Sequence, residues 1–353
     1  MKHEKMMQEW YEKNNVDALY TSTNEQLQDP LFTKFTGIYH TDFSFRFFQS
    51  PEKKLLLCTP LERRVVKHQY NGRTKTVTTQ KEITHVLRGL FGKKKIGLNL
   101  RYMTATQYTA LKKTFPHTPF KDVSEALEKT RTIKTKEEKR KIIEAVKITQ
   151  EISTKIPPLL RKGKKEIEIV AEINYHLARE GCGNAFPTIV AFGNNTPNIH
   201  HFPRNKKLVK NEIVLVDFGA KYQGYCTDAT RTFCFGKASE EQKEWYARVW
   251  NAQQEAFKTI IPGKKAFDTM KQAEKILGRK IPHAVGHGIG LETHDYPGAI
   301  QGKADWEYQE GMTLAIEPGY YGKAFGIRIE DDVLVTKNGC KILSHASKKL
   351  VEI

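Results

Sequence analysis

Apolar residues recur at helical spacing in four stretches after residue 131, and at alternate or continuous positions in several shorter ones. Ile142, Val146 and Ile152 lie on one face of a helix that Thr135 and Glu138 open as a capping box. Pro157 and Pro158 stop it. Ile169, Val170, Ile173 and Leu177 line a second helix, Glu166 to Glu180, which ends at Gly181. Ser239 caps a third, with Glu241 and Glu244 in its first turns and Trp245, Val249 and Ala256 inside. A fourth runs from Phe267 to Leu277 and ends at Gly278. The first two helices are expected to pack on the back of a sheet. Nearer the N-terminus a helix (Met6 to Glu12) leads into a strand (Val16 to Tyr20). Further strands follow at Lys54–Thr59 and Lys95–Leu100, then a helix at Ala105–Phe115 and a lead into Val123–Leu127. That alternation predicts a small α/β sheet covered by helices.

Two strand pairs carry the candidate chemistry. Ile213 to Val216 is an apolar, β-branched run; Tyr225 to Phe235 is rich in Thr, Tyr and Phe; Gly219 to Gly224 is a polar connection between them. A turn centred between Tyr222 and Gln223 sets Asp217 directly opposite Asp228, with Cβ atoms about 4.5–5.5 Å apart, where like charges are destabilising. Two carboxylates on an apolar ladder call for a shared proton or a cation, and a divalent metal suits hard oxygen donors. A shifted register with both aspartates in solvent is the alternative, and the hairpin alone leaves both open. The second pair, Thr313 to Asp332, carries Glu317 near the end of one strand and Glu330 in the other. Alternation puts Arg328 and Glu330 on one face, Ile327 and Ile329 on the other.

Between the pairs lies HAVGHGIGLETHDYP, with His283, His287 and His294. The candidate ligands are Asp217, Asp228, His287, Glu317 and Glu330. Four carboxylates carry −4, enough to neutralise two divalent ions, and a site of that kind turns a bridging water into a nucleophile at neutral pH. The glycines of GHGIG lack the Gly-Lys-Ser/Thr of a phosphate loop, so Gly286, Gly288 and Gly290 are expected to let backbone crowd the metals. No HExxH is present, which argues against a zincin.

Composition narrows the class. The chain has 353 residues, 39% hydrophobic and 28% charged, which suits a soluble globular protein of two domains, 1–130 and 131–353. No apolar run is long enough for a transmembrane span, and the charged N-terminus lacks a signal-peptide core. Five scattered cysteines without CxxC spacing predict reduced thiols and a cytoplasmic protein. Cys226 and Cys234 flank Asp228, but a thiolate would sit poorly among hard oxygens. The formal charge is +18. Its lysines lie in short clusters (93–95, 162–165, 206–207, 348–349) with no aromatic-interleaved basic block, so a solvated surface is expected and no specific nucleic-acid partner. Arg131 to Lys141 reads as a linker and a solvated first helical turn. Trp245 and Trp250 are expected in the core.

Five blocks, VDFGA, TDATRTF, HAVGHGIGLETHD, AIEPGYY and GIRIEDD, resemble the metal-site blocks of the pita-bread metallopeptidases. They are most similar to the proline-specific branch, aminopeptidase P and Xaa-Pro dipeptidase (prolidase). The resemblance is specific over Thr188 to Val335 and more diffuse elsewhere. It implies an α+β fold, a curved antiparallel sheet backed by helices with a pseudo-repeat, preceded by a small creatinase-type α/β domain that the segment Asn24 to Gly37 resembles. It also implies a homodimer, and two divalent ions (manganese, with cobalt or zinc as alternatives) sharing a hydroxide that attacks the scissile carbonyl of a peptide with proline second. By that resemblance Asp217 binds one metal, Asp228 and Glu330 bridge, and His287 and Glu317 complete the other shell. Glu317 would shuttle the proton, His294 would donate to the oxyanion, and His283 and His200 would contact substrate. His201 points the other way in extended backbone. Arg328 would fix a carboxylate or meet a substrate carboxylate. The chain departs from the family in having Asp295 where a glutamate often follows His294. Methionine aminopeptidase shares the five ligands but lacks the N-terminal domain and the Arg-Ile-Glu-Asp string. A non-catalytic pita-bread protein that binds RNA or protein through its basic surface is the reading from another class, and it sits poorly with five intact ligands.

Overall fold

The computed structural model describes residues 2–353 apart from 25, 26, 40–42, 346 and 348. Glu25 and Gln26 of the Asn24–Gly37 segment, and Lys348 of the last lysine cluster, lie outside the described residues. The chain forms two compact units, Met1–Thr130 and Arg131–Ile353.

The first unit is a six-stranded mixed sheet, β1 (Ala18–Ser22), β2 (Arg46–Gln49), β3 (Lys54–Cys58), β4 (Thr74–Thr76), β5 (Ile96–Leu98) and β6 (Phe120–Asp122), in the order β4-β3-β2-β1-β5-β6. Helices α1 (Lys2–Asn14), α2 (Pro30–Thr36), α3 (Arg63–Gln69), α4 (Gln80–Phe91), α5 (Ala105–Thr114) and α6 (Ser124–Lys129) accompany it. The predicted first strand starts two residues late, because Val16 packs with Tyr11 and Leu19 instead of pairing. Helix α4 is absent from the sequence reading, although Thr79 accepts from Glu82 N as its cap and Ile83, Leu87 and Leu90 recur at helical spacing.

In the second unit, α7 (Lys136–Lys155) opens on the expected box: Glu138 N donates to Thr135 Oγ1 at 3.2 Å and Thr135 N to Glu138 Oε2 at 2.7 Å. Helix α8 (Glu166–Arg179) follows, then β7 (Gly183–Asn184), β8 (Ile189–Phe192), β9 (Glu212–Phe218), β10 (Ala220–Tyr222), β11 (Tyr225–Cys226) and β12 (Ala229–Phe235). Ile148, Ile152, Ile169, Ile173 and Leu177 bury against Val214, Val216 and Phe218, so the two helices do back the sheet that carries β9. Helices α9 (Glu240–Thr259) and α10 (Ala266–Leu277) repeat the arrangement for the second half. They cover β13 (Gly286–Gly288), β14 (Asp295–Ile300), β15 (Thr313–Ile316), β16 (Gly319–Tyr321), β17 (Gly326–Arg328), β18 (Asp331–Thr336) and β19 (Gly339–Ile342). Val249, Ala256, Ala273 and Leu277 meet Leu314, Ile316, Ile327, Ile329 and Val333 in one core. Strand β20 (Val351–Glu352) returns beside β12. Trp245 is only partly buried and stacks on Tyr320 with centroids 3.8 Å apart. Among the described residues no helix is long and apolar enough to cross a membrane.

Two expectations are corrected. The first hairpin turns one residue later than predicted: Gln223 (φ 47°) and Gly224 (φ 87°) occupy the left-handed region and form the two-residue turn. Tyr222 therefore pairs with Tyr225, and Asp217 stands opposite Thr230, not Asp228. The shift is two places, so Asp228 stays on the same face as Asp217, now diagonal to it. The start of the 131–141 segment is not solvated either. Arg131 and Lys134 are 5% and 4% exposed. Arg131 Nη2 donates to Glu292 at 2.7 Å, and Nε lies 3.0 Å from Asp295 Oδ1.

Candidate metal centre

The second strand pair holds one register through a break. Ile316 pairs with Asp331 in β15–β18, and Gly319 with Arg328 in β16–β17. Continuing either ladder sets Glu317 opposite Glu330, at the positions where regular pairing lapses. Buried Gln253 of α9 occupies that lapse, donating to Ile316 O (3.1 Å) and Ile329 O (3.2 Å). Carbonyls freed by two opposed acids thus keep a partner. His287 is the middle residue of β13, which pairs with β15 and places Ala315 opposite the histidine. Asp217 comes from β9, and Asp228 immediately precedes β12.

These side chains meet in one cavity of about 310 Å³, which Asp217, Asp228, His287, Glu317 and Glu330 line together with His200, His294 and Arg328. His287 Nε2 lies 3.6 Å from Asp228 Oδ2, 3.7 Å from Glu317 Oε1 and 3.9 Å from Glu330 Oε1. Those separations exceed hydrogen-bond length and suit donor atoms arranged about a common ion. Asp228, His287 and Glu330 each offer a ligand atom within 4.8 Å of the other two. His287 Nδ1 is 3.0 Å from Gly288 O; a carbonyl only accepts, so Nδ1 carries the proton and the Nε2 lone pair faces the carboxylates.

The cluster is out of electrostatic balance as it stands. Asp217 Oδ1, Asp228 Oδ1 and Glu330 Oε1 are buried without a hydrogen-bond partner. Burial, followed by the neighbouring carboxylates, holds Asp228 and Glu330 well above the usual carboxylate range. Burial pushes Glu317 up to about 8, although Arg328 pulls it down. His287 is pushed down to about 4, mainly by burial. Orphaned oxygens, a neutral imidazole and several carboxylates in one ring form a donor set that fits divalent cations.

Arg328, 2% exposed, is the cation of the site. Its Nη2 donates to Asp217 Oδ2 at 2.6 Å, Nε to Thr230 Oγ1 at 3.0 Å and Nη1 to Tyr321 Oη at 3.0 Å. Thr230 Oγ1 in turn donates to Glu330 Oε2 at 2.8 Å. His294 stacks edge-on against His287, with centroids 4.4 Å apart. Burial and then nearby His200 hold its pKa down. His283 does not line the cavity: its Nδ1 is 2.7 Å from Ala284 O, its Nε2 2.9 Å from Tyr321 Oη, and it stands 3.9 Å from Glu317. His200 and His201 both line the cavity, so the two do not face opposite sides as expected: His200 is exposed, while His201 is buried and bonded to Glu166 at 2.9 Å.

Sequence reasoning missed Thr230, Tyr321, Asp332 and Gln253. Asp332 Oδ2 accepts from Asp228 N at 3.1 Å and from the Thr227 hydroxyl. Thr230 stands two places after Asp228, on the same face, which was a usable signal. The glycines need a correction as well. A Cβ at Gly286 would fall 2.3 Å from Ala315 O, and one at Gly288 2.5 Å from Asp295 O. They admit the neighbouring strands, not the metal site. Asp295 is structural too: its Oδ2 accepts from Leu291 N at 3.0 Å, and its Oδ1 faces Arg131.

Residues 140–337 match metallopeptidase family M24, and residues 5–133 match the creatinase/prolidase N-terminal domain. The chain belongs to metallopeptidase family M24. It is a metal-dependent peptidase with the pita-bread fold. It is 31% identical to the Xaa-Pro dipeptidase of Pyrococcus horikoshii over 357 residues, covering 97% of each chain. Its fold matches a crystal structure of X-Pro aminopeptidase from Thermotoga maritima (TM-score 0.91, 27% identity, 98% of this chain and 100% of that one). It also matches the prolidase of Pyrococcus horikoshii (TM-score 0.89, 30% identity, 99% and 100%).

Proposed function

We propose that this protein hydrolyses the Xaa-Pro bond of dipeptides or of peptide N-termini. The observation that carries the proposal is the ring of Asp228, Glu317 and Glu330 oxygens around the free Nε2 of His287, with Asp217 held beside it by Arg328. The named relatives support proline as the second residue. Asp217, Asp228, His287, Glu317 and Glu330 would hold two divalent ions, manganese first and cobalt or zinc as alternatives. When bound, the ions supply Lewis acidity toward the scissile carbonyl and make water acidic enough to ionise near neutral pH.

The chain's own groups do the rest. Glu317, at the open side of the ring, takes a proton from water on its carboxylate and returns it to the prolyl nitrogen, a secondary amine that leaves poorly unprotonated. His294 donates to the oxygen that gains charge. His200 contacts the substrate from the wall. Arg328 is spent on Asp217, Thr230 and Tyr321, so its role is to fix the carboxylate and not to meet a substrate. His283 orients Tyr321 and the Glu317 side. Residues 131–353 form the catalytic domain, and 1–130 serve a homodimer by analogy with the creatinase-type domain. Free cysteines support a cytoplasmic setting.

The test is hydrolysis of Ala-Pro against Ala-Pro-Ala-Ala by manganese-loaded protein. Cleavage of the dipeptide alone makes it a dipeptidase; cleavage of the longer peptide makes it an aminopeptidase. A protein that binds metal and cleaves neither, while releasing methionine from Met-Ala-Ser, would overturn the proline reading.

A further inference from the structure

Glu166 is the first residue of α8 and is completely buried. Its carboxylate accepts four hydrogen bonds. Oε1 receives Phe192 N at 2.9 Å and Asn195 Nδ2 at 2.8 Å. Oε2 receives His201 Nε2 and Arg204 N, both at 2.9 Å. Two bonds to each oxygen satisfy a buried carboxylate fully. All four donors belong to one stretch, 192–204, which enters from β8 and leaves toward β9. That stretch presents Ile199, His200, His201, Phe202 and Pro203 to the cavity. Phe202 is 77% exposed, so its own packing cannot hold it in place. Arg204 O also accepts from Ile167 N at 3.4 Å, and Lys206 O from Glu166 N at 3.2 Å, so the exit of the loop runs along the start of α8.

Of this cluster only His201 also lines the cavity that holds the proposed metal ligands, and the proposed chemistry uses none of the cluster. A buried acid that collects only the donors of one cleft wall sets where that wall stands. We propose that Glu166 is a positioning residue for substrate binding, and that His201 is its partner: together they clamp the loop that offers His200 and Phe202 to the substrate. This rests on reading the cavity as the Xaa-Pro site. The clamp acts on the wall and not on the reacting atoms, so its loss shows in KM, with kcat and bound metal retained.

Glu166→Gln replaces one acceptor oxygen with an N–H₂ that confronts donors, while keeping the shape. On Ala-Pro or Ala-Pro-Ala-Ala, whichever the wild type cleaves, KM is expected to rise about tenfold with kcat within about threefold. Metal content should be unchanged, and the amides of Phe192 and Arg204 should exchange faster with solvent. His201→Phe, which removes one bond of the four, should raise KM by a smaller factor. His201→Gln, which keeps a donor at similar reach, should restore it. KM values within twofold of wild type in Glu166→Gln and His201→Phe, with amide protection lost, would overturn the clamp. A wild-type protein that binds metal and cleaves neither peptide overturns the functional reading instead, a result separate from unchanged KM in the variants.

Discussion

Arg328 and Asp217 join the two strand pairs of the site: 111 residues apart in sequence, they meet through Nη2 and Oδ2 at 2.6 Å. The arginine also holds Thr230, which holds Glu330, so a single guanidinium braces an acid from each pair.

Arg328→Lys keeps the charge and loses the planar fork, which a lysine cannot replace at three partners. Metal affinity should fall roughly 10–100-fold, the usual consequence of removing a group that orients ligands. Metal titration of the purified variant measures it. Affinity equal to wild type would show that Asp217 needs no brace.

The protonation of the ring predicts how pH and metal interact. Glu317 titrates near 8 in the fold against 4.5 unfolded, and Asp228 and Glu330 are raised in the same direction. The metal-free fold therefore binds more protons than the unfolded chain between those values. Its carboxylate contribution is complete below about 4.5 and is lost as pH rises through about 8. His287, lowered to about 4 from 6.5, has the opposite sign, and its contribution is lost as pH falls through about 4. His283 and His294 are lowered as well, and Asp332 is raised to about 7, so four acids stand against three histidines. Above about 6.5 the histidines are neutral in both states and only the acids act, so the Tm of chelated protein should fall from about pH 6.5 to pH 8, while that of metal-loaded protein holds. Calorimetry in buffers of different ionisation heat should show proton release on metal binding.

Gly286 lies beside His287 with no room for a methyl group. Gly286→Ala would drive a Cβ against Ala315 O of the paired strand, and backbone cannot swing away as a side chain can. Overpacking of that kind costs about 1–3 kcal/mol. Thermal melting should register it as roughly 2–4 °C per kcal/mol. A Tm within 1 °C of wild type would show that β13 and β15 can part freely.

Arg131 anchors the acids on either side of His294, Glu292 and Asp295. Arg131→Met leaves Asp295, 3% exposed, beside an uncharged side chain, and breaking a buried pair costs about 3–5 kcal/mol. Melting should show that loss. Turnover should fall more than tenfold at full metal occupancy, because the histidine loop loses its tie. Normal kcat with a lowered Tm would limit Arg131 to stability.

What could be read from the chain alone was whatever period, cap and local motif encode. The Thr135–Glu138 box, the left-handed stop at Gly278, the apolar faces of α7 to α10 and the five acidic and imidazole positions are all properties of short stretches. Two strand pairs each bearing two acids already implied a cation. The tertiary structure decided everything that depended on a register or on a distant partner. One residue of turn placement, set by left-handed backbone at Gln223 and Gly224, moved Thr230 opposite Asp217. Arg131 looked like part of a charged linker because its acids lie more than 160 residues away. Glu166 looked like a helix-start acid, and only the folded loop shows that its four donors come from the cleft wall. Backbone propensity is local, whereas the satisfaction of a buried charge is settled only once distant segments have met.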